Sequence, residues 1–594
     1  MSAPHNPGRR TMLRAGSAAG LMAAGGQTLA QVPDPWQRAQ AIVDSFARPL
    51  SFRKEDFPIT AFGAKPARLA SVKGNLTDET AGLLDTPEPG APDCHGAIAA
   101  AIAACHKAGG GRVVIPAGNW HCAGPVVLRS NVHVHLAAGA HVYFSANPAD
   151  YARHGEYDCG ANGKLVLSRW QGNDCLNFSS MVYAHGQDNI ALTGADWTSI
   201  LDGQGGLPFG PGKDCWWDWK GRHRKGATAT EIAVNPNNPP EMPAVLSAQQ
   251  RALIQGKGER WRSDSRYLPA LSEAGVPVAK RVFGHGHYLR PCMIELIGCT
   301  NVLLQGYQVH ASPFWLHHPV NCRHVHISKV NMDSMGPNSD GFDPEACDTV
   351  LVEDCTFNTG DDCIAIKSGK NRDTQHGATR NIVIQNCVMN SGHGAVTLGS
   401  EMAGGIENIY AQNLEFRNIN WASDPLNTAI RLKTNMNRGG FLRHLYVRNV
   451  SMPNGVATEG KFYPPLPGST IAANSVASTA GAVITIDCDY APADDSVRTR
   501  PPSVSDLHIS GVRVGNTASG FSCYQAMVLL GPVAASFNGT AGTPILPLSA
   551  ITVSDCDFGT PRNAAQPWFL HNVKSLVLKN VTIAGKSINA TVSA

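Results

Sequence analysis

One pattern of polar and aliphatic positions recurs along most of the chain. A polar residue precedes a short run of alternating aliphatic residues, and polar turn residues follow the run. The copies start at residues 131, 189, 301, 324, 349, 381, 408, 444, 506, 550 and 575. The five copies from 301 to 408 lie 23, 25, 32 and 27 residues apart. Short β-type runs at such a spacing, without helical periodicity between them, are typical of a solenoid of stacked coils.

The repeat predicts an all-β chain folded as a right-handed, single-stranded parallel β-helix. A single coil cannot bury its aliphatic residues alone, so neighbouring coils must stack and pair as parallel sheets. Right-handed crossovers are the rule for parallel strands. A β-sandwich with coincidental spacing is the alternative, and the five consecutive copies argue against it.

Two segments depart from the repeat. The Ala-rich run at 93–105 predicts a helix that caps the N-terminal end of the solenoid, where a sheet edge would otherwise be exposed. Residues from about 203 to 286 break the repeat and include three tryptophans at 216–219. We interpret this segment as a long insertion over one side of the solenoid, where long loops often carry specificity. A structural flap without substrate contact is the alternative. The rest of 31–594 is predicted to be a single domain.

The first thirty residues predict an export signal rather than part of the fold. A basic start with Arg9 and Arg10 precedes a weakly apolar run at 15–26 and a small-residue end at 28–30. The paired arginines favour the twin-arginine route, so we expect a periplasmic or secreted bacterial protein. A disordered N-terminus is the alternative. No later stretch reaches the ~18 apolar residues of a membrane span, so no membrane insertion is expected.

Charge and cysteine content narrow the range of partners. The chain has 49 basic and 46 acidic residues, and the predicted signal holds three of the arginines and no acid. The remainder is balanced, so its overall field attracts no polyanion; we expect no nucleic-acid partner, and an acidic substrate needs a local basic cluster. Most of the sixteen cysteines lie in or beside predicted strands, where cysteine acts as a small buried apolar residue. No paired CxxC spacing occurs, so neither a metal site nor a cofactor is expected.

Carboxylates cluster in consecutive repeats. Four segments align on the repeat: 338–343, 360–367, 392–399 and 429–434. In this alignment Asp340, Asp361 and His393 occupy one position on three coils, and Asp362 adjoins Asp361. Like charges at short distance raise at least one carboxyl pKa, and a protonated acid beside an ionised carboxylate is the pair that glycoside hydrolysis requires. We interpret the nearby Asp343 as a turn-forming or ladder residue.

Basic residues lie on the same predicted face. Arg431 and Lys433 are two apart on a strand and therefore point to one side. Lys367 aligns with Lys433 two coils earlier, although a solvated charge is an equal alternative for it. Basic side chains here would bind the carboxylate of an acidic sugar, with arginine providing bidentate geometry.

These motifs resemble glycoside hydrolase family 28, the polygalacturonase family. The resemblance rests on four motifs and extends over about 57–581: Asn338-Ser339-Asp340, Gly360-Asp361-Asp362, Gly392-His393-Gly394 and Arg431-Leu432-Lys433. It implies hydrolysis of α-1,4-galacturonan with inversion. Asp361 would be the general acid, Asp340 and Asp362 would position and deprotonate water, and His393 would hold the ionisation state of the acid. Ser339 stands where threonine is common, which leaves the chemistry unchanged.

The resemblance also implies substrate contacts and a mode of action. Arg431 and Lys433 would bind a substrate carboxylate across the cleavage point, Asn338 would line the site, and Tyr490 would contact substrate. The long insertion and the run at 289–293 resemble bacterial exo-acting members, so we favour a monomeric exo-polygalacturonase acting on pectic polysaccharide or oligogalacturonide. Endo-polygalacturonase and rhamnogalacturonan or xylogalacturonan hydrolases are the alternatives. More distant ones are a calcium-dependent pectate lyase and a non-catalytic carbohydrate-binding β-helix.

Overall fold

The computed structural model describes residues 34–77, 80–220, 264–420 and 425–594. The predicted export signal at 1–30 and residues 221–263 of the predicted insertion lie outside these ranges. No helix in the described ranges is long and apolar enough to cross a membrane.

The chain is folded as a parallel β-helix, as predicted, with strands of successive coils paired in three sheets. The first sheet consists of Asp56–Pro58, Gly111–Ile115, Val132–Leu136, Asp188–Gly194, Thr300–Gln305, Arg323–Ser328, Asp348–Glu353, Thr379–Gln385, Ile406–Phe416, Phe441–Met452, Ser503–Val514, Ser549–Ser554, Leu576–Ile583 and the antiparallel Lys586–Val592. The second consists of Gly118–Cys122, Ala140–Phe144, Ile200–Asp202, Gln308–His310, Asn331–Ser334, Thr356–Thr359 and Val388–Ser391. Later coils merge these two sheets, because single long strands run through both.

The third sheet forms the remaining face of the coils. Its strands are Val126–Val127, Val182–His185, Ile294–Ile297, His317–Val320, Ile364–Ile366, Gly394–Gly399, Thr428–Lys433, Ala482–Asp487, Gln525–Leu530 and Trp568–His571. Isolated bridges through Phe342 and Glu345 join its N-terminal and C-terminal parts. Two smaller units stand apart: the hairpin of Leu69–Asn75 with Ala81–Pro87, and a sheet of Tyr157–Asp158, Lys164–Trp170 and Asn173–Asn177.

The backbone conformation at the start of the repeats explains why a polar residue is common there. Ten of the eleven predicted starts have a left-handed backbone, with φ between 52° and 65°: 131, 189, 301, 324, 349, 381, 408, 444, 506 and 550. Asparagine adopts this conformation more readily than most residues. Its amide also links neighbouring coils, since Asn408 Nδ2 donates to Asn381 Oδ1 at 3.3 Å. The repeat therefore encodes the corner of each coil as well as its strand.

The interior is a stack of aliphatic ladders. One ladder of buried, paired residues in the first sheet runs through Ile190, Val302, Val325, Val350, Ile382, Ile409, Leu445, Leu507, Ile551 and Leu576. Burial of each such side chain stabilises the fold by roughly 1.5–3 kcal/mol. All sixteen cysteines are free, and fifteen are buried, which confirms their predicted role as small apolar residues.

Helices cover an end and two outer faces of the solenoid. The described residues contain α1 (Pro35–Ser45), α2 (His95–Lys107) and α3 (Asp264–Glu273). The cap prediction is confirmed, because α2 packs on the first N-terminal strands and buries Ile98 and Ile102. The sequence pattern did not predict α1, which packs outside the first sheet. Short 3-10 helices lie at Ile59–Phe62, Pro148–Tyr151, Gly160–Asn162, Trp217–Lys220, Val278–Lys280, Pro492–Asp494 and Ala534–Ser536.

The described part of the insertion is anchored by an apolar cluster and by polar contacts at the end of α3. Leu268 and Leu271 of α3 are buried in one apolar cluster with Trp170 and Phe314. At the end of α3, Glu273 accepts a hydrogen bond from Asn371 at 3.1 Å and pairs with Arg500 from a C-terminal coil. The helix therefore forms a fixed wall along one side of the third sheet.

Candidate active site

A cleft of about 920 Å³ lies over the outer face of the third sheet. Eight predicted site residues line it: Asn338, Asp340, Asp361, Lys367, His393, Arg431, Lys433 and Tyr490. The ninth, Asp362, is fully buried and is held by two of these side chains. The insertion contributes Lys220 and part of α3 to the lining.

The coil register differs from the predicted alignment by one residue. Phe342 pairs with Ile364, which pairs with Val396. Asp340 is therefore level with Asp362, and Asp361 is level with His393, so the predicted alignment of Asp340 with Asp361 was wrong. The amide of His393 accordingly donates to the Asp361 carbonyl at 3.0 Å.

The reason for the shift lies in the coil that carries the second motif, Gly360-Asp361-Asp362. Cys363 and Ile364 both contribute to the core cluster, so the strict alternation of sides is broken between the two aspartates and the strand. An alignment that assumes uniform coils cannot detect one residue added in this way.

Three carboxylates nevertheless meet as expected. One oxygen each from Asp340, Asp361 and Asp362 lies within 4.8 Å of the other two. Burial raises the pKa of Asp340 well above its usual range, and the nearby charges of Asp343 and Asp361 raise it further. One carboxyl pKa is therefore raised as predicted, although burial contributes more to the shift than the neighbouring charges do.

Asp361 has the opposite shift. Burial raises its pKa, but His393, Lys433 and Lys220 outweigh burial and hold the pKa well below its usual range. His393 Nδ1 lies 2.9 Å from Asp361 Oδ1. The pKa values of Asp340 and Asp361 are therefore shifted in opposite directions.

Asp361 is also fixed in orientation. Asn338 Nδ2 donates to Asp361 Oδ2 at 3.2 Å, and the amide of Asp362 donates to Oδ1 at 3.0 Å. The Asp361 side chain is 14% exposed and faces the cleft, so it can reach a bound ligand.

The basic pair Arg431 and Lys433 contacts Asp362 and also lines the cleft. Lys433 Nζ donates to Asp362 Oδ2 at 2.6 Å, and Arg431 Nη1 lies 3.5 Å from Oδ1. Among the described residues Arg431 Nε has no hydrogen-bond partner. The ring of Tyr490 lies 5.7 Å from the Arg431 guanidinium and 5.6 Å from Lys433 Nζ. Both cations can accept an anionic group while they hold Asp362.

Lys367 is buried, so the alternative of a solvated charge is wrong. Its Nζ lies 3.3 Å from both Asp343 and Glu401, 3.8 Å from Asp340, and 4.4 Å from the centroid of the Trp315 ring. This lysine neutralises the carboxylates that the fold buries beneath the cleft, because unpaired buried charges are costly.

Asp343 is not a turn residue, which corrects the interpretation from its sequence context. It lies in an extended segment between the bridges made by Phe342 and Glu345 and is fully buried. Burial raises the pKa of Asp343 to about 7 although Lys367 is close. The motif Asp-Gly-Phe-Asp thus places two aspartates on one strand-like segment, and a turn propensity could not distinguish this.

Sequence reasoning missed four residues around the cleft: Lys220, Arg290, Trp315 and Glu401. Lys220 Nζ donates to Asn338 Oδ1 at 2.6 Å, and Arg290 Nη2 donates to the same oxygen at 2.7 Å. The tryptophans before Lys220 and the run at 289–293 drew attention to their neighbourhoods. Neither signal identified the residue that reaches the site.

The site carboxylates could in principle attract a hard cation, since they offer oxygen ligands at short distance. However, Lys433 and Arg431 already hold Asp362, and Lys367 lies beside Asp340. The chain therefore compensates its own site charge with basic side chains.

Comparisons with known proteins agree with this site. Residues 279–476, which include all four motifs, match the family model described as glycosyl hydrolases family 28. A probable polygalacturonase of Vitis vinifera is 35% identical over 170 residues, which are 28% of this chain and 33% of that protein. The chain spans about a third of the length of this and of an Arabidopsis thaliana relative.

Two bacterial proteins are similar over more of their length. The exo-poly-alpha-D-galacturonosidase of Dickeya chrysanthemi is 24% identical over 83% of this chain and 72% of its own length. The crystal structure of an exopolygalacturonase from Thermotoga maritima superposes with a TM-score of 0.64 at 25% identity, covering 94% of this chain and 98% of that one. Residues 279–476, which place the four motifs on one face of the parallel β-helix, are therefore similar to glycosyl hydrolases family 28.

Proposed function

We propose that the protein is an exo-acting polygalacturonase that hydrolyses α-1,4-galacturonosyl linkages by a single displacement. The observation that carries the proposal is the group of three carboxylates within 4.8 Å of one another, beside the paired Arg431 and Lys433. Carboxylates supply the acid and the base, and the basic pair supplies the recognition of a uronate. The small net charge of the chain, +3, is consistent with local rather than global attraction of an acidic polymer.

In this mechanism Asp361 protonates the glycosidic oxygen. Asp340 and Asp362 bind one water between them and deprotonate it as it attacks. Lys433 and Arg431 hold Asp362, and Asp340 is buried beside Lys367, so neither carboxylate is free to move to the anomeric carbon. The acid Asp361 lies closer to the bases Asp340 and Asp362 than the ~6.5–9.5 Å usual between acid and base in inverting enzymes. The anomer of the first product is therefore a decisive measurement.

As the general acid, Asp361 must be protonated, although His393, Lys433 and Lys220 hold its pKa low in the free protein. A uronate carboxylate bound at Lys433 would offset one of the cations that hold the pKa of Asp361 low against burial. Substrate binding therefore favours the protonated acid, and ionised Asp340 then serves the water.

The wall formed by α3 supports exo action. Its anchoring through Glu273 to Asn371 and Arg500 limits the side of the cleft over which a long polymer could pass. By similarity to the exo-acting relatives we infer release of short products from a chain end. We also propose that residues 1–30 direct export to the periplasm or beyond, and that 31–594 act as one monomeric domain.

Digestion of de-esterified polygalacturonate in EDTA tests the proposal. We expect reducing ends without ultraviolet absorbance from unsaturated uronate, mono- or digalacturonate from the start, and inversion at the new anomeric centre. Asp361→Asn should lower turnover by about a hundredfold to ten-thousandfold, and the exposed Asp354→Asn on the same coil is the matched control. A ladder of products would indicate endo action. Activity that needs calcium and produces unsaturated uronate would refute hydrolysis.

A further inference from the structure

We propose that Cys292, Glu295 and His318 form a structural zinc site, buried on the outer side of the third sheet. The inference goes beyond the proposed function and does not depend on it, because none of the three residues lines the cleft. The sequence predicted no metal site because it has no paired CxxC spacing. These three ligands instead come from two neighbouring coils.

Neighbouring strands of the third sheet bring the ligands together. Glu295 and His318 are partners in the parallel register of adjacent strands. Ile294 and Leu296 belong to the core, so Glu295 between them points to the outer side of the sheet. Cys292 lies just before the same strand, and one donor atom from each of the three ligands lies within 4.8 Å of the other two.

The distances between these atoms are close to those around a tetrahedral zinc ion. His318 Nδ1 lies 3.8 Å from Cys292 Sγ and 3.7 Å from Glu295 Oε1. Bonds of ~2.3 Å to sulfur and ~2.0–2.2 Å to nitrogen and oxygen would place such atoms about 3.3–3.6 Å apart. The contact with Glu295 is too long for an N–H···O hydrogen bond. Zinc would therefore need only a small contraction, with the second Glu295 oxygen or a water as fourth ligand.

A fixed tautomer aims His318 Nδ1 at the same space. His318 Nε2 lies 3.0 Å from Glu345 Oε2, and Glu345 Oε1 is paired with Arg169 Nε at 2.6 Å. A carboxylate in such a pair accepts, so in the neutral imidazole Nε2 carries the hydrogen and Nδ1 offers its lone pair. Histidines that bind metals commonly donate their other N–H to a carboxylate in this way.

The charge of Glu295 also favours a bound cation. Its carboxylate accepts hydrogen bonds from the hydroxyls of Ser168 and Ser180 at 3.0–3.1 Å, which are neutral donors. In the described ranges no lysine or arginine side chain lies within 4.0 Å of it, and His318 is its ion-pair partner. Zinc with one thiolate, one carboxylate and one neutral imidazole carries no net charge, so the ion would compensate Glu295 inside the protein.

The donor set and its surroundings favour zinc over ions that prefer oxygen. A thiolate and an imidazole suit zinc, whereas magnesium and calcium take oxygen ligands. Cys292 is 3% exposed, and Glu295 and His318 are fully buried. The Trp315 ring lies 4.8 Å from the His318 ring, and Cys292 packs with Phe314 in one apolar cluster. We therefore expect the native protein to retain the ion, and its activity, in EDTA.

Metal analysis of the full chain tests the site. Protein produced in medium with zinc is dialysed against EDTA and then unfolded, and the zinc that it releases is counted. We expect about one zinc per chain, released only on unfolding. Cys292→Ala should hold less than about a tenth of this amount. Cys175→Ala removes another buried thiol of the same apolar cluster and should match the wild type.

Cobalt gives a second readout that does not require a folded variant. A thiolate ligand gives bound cobalt(II) a charge-transfer band in the near ultraviolet. In the described part of the chain, the other cluster of candidate ligands is Asp340, Asp361 and Asp362, which cannot give this band. We expect the band in the wild type. Wild-type protein with less than about a tenth of a zinc per chain, an unchanged zinc content in Cys292→Ala, or bound cobalt without the band would overturn the inference.

Discussion

Replacing Lys367 by methionine decides whether this lysine holds the site together or binds substrate. Methionine keeps the unbranched apolar stem and removes the charge. Lys367 is paired with Asp343, Glu401 and Asp340, so the variant leaves three buried carboxylates around an uncharged side chain. We expect a destabilised protein in which KM of the remaining active fraction changes little.

The size of the effect depends on pH. In the variant Glu401 loses Lys367, the cation that stabilises its charge most, but keeps Arg438 and Lys370 nearby. Breaking the pair of Lys367 and Glu401 therefore costs about 3 kcal/mol at any pH above the pKa of Glu401 in the unfolded chain. Burial raises the pKa of Asp343 to about 7 in the wild type. Each pH unit between a carboxyl pKa in the folded protein and ~3.9 in the unfolded chain costs about 1.4 kcal/mol.

At pH 5 Asp343 is protonated in both proteins, so it adds nothing to the difference. At pH 8 the wild type has ionised it, whereas the variant must keep it protonated, which adds about 1.4 kcal/mol. Burial raises the pKa of Asp340 well above its usual range, so we base the pH dependence on Asp343 alone. The total loss of stability is therefore about 3 kcal/mol at pH 5 and about 4–5 kcal/mol at pH 8.

Urea unfolding at the two pH values measures this difference directly. The exposed Lys579→Met is the matched control and should stay within about 0.5 kcal/mol of the wild type. A fully stable Lys367→Met variant with a raised KM would refute the structural role and assign the lysine to substrate binding. An equal loss of stability at both pH values would show that Asp343 does not respond to Lys367.

Three further predictions address recognition, pH and redox state. Lys433→Ala should raise KM for polygalacturonate at least tenfold more than for its methyl ester, and equal changes would argue against a carboxylate contact. Burial raises the pKa of Asp489 to about 7, and the charge of Asp487 raises it further. The stability of the wild type therefore falls as pH rises towards 7, because the unfolded chain ionises this carboxyl while the folded protein keeps it protonated. In unfolding curves Asp489→Asn should gain about 2.7 kcal/mol of stability relative to the wild type between pH 5 and 7. Thiol titration of the unfolded, unreduced protein purified without oxidant should find all sixteen cysteines reactive, and a lower count would reveal disulfides.

The sequence was sufficient for the fold because the repeat carries two signals at once. Alternating aliphatics such as Val302 and Val325 define the inward face, and the polar start of each repeat defines a left-handed corner. The helix α1 escaped prediction, since its buried residues Ala39 and Ile42 pack on the outside of a sheet rather than in the solenoid core. No periodicity in the repeats indicates that such a partner exists.

The sequence predicted which residues form the site, but it did not predict their register between coils or the direction of each pKa shift. Motif order identified the residues, yet one added residue near Cys363 placed Asp340 level with Asp362. The low pKa of Asp361 depends on its distances to His393 and Lys433, which spacing along the chain cannot give. Lys220 reaches the site from more than a hundred residues before Asn338, and only the folded insertion brings the two together.

The reversed strand Lys586–Val592 also bears on whether two molecules could associate end to end. Lys586–Val592 turns back and pairs antiparallel with Leu576–Ile583, whereas the coils before it pair in parallel. A chain cut after Thr582 would present a parallel strand edge with free backbone donors and acceptors. Because α2 covers the opposite end, such chains could join tail to tail in pairs but could not extend into fibres. We therefore expect removal of this reversed strand to promote pairing of chains at the C-terminal end of the solenoid.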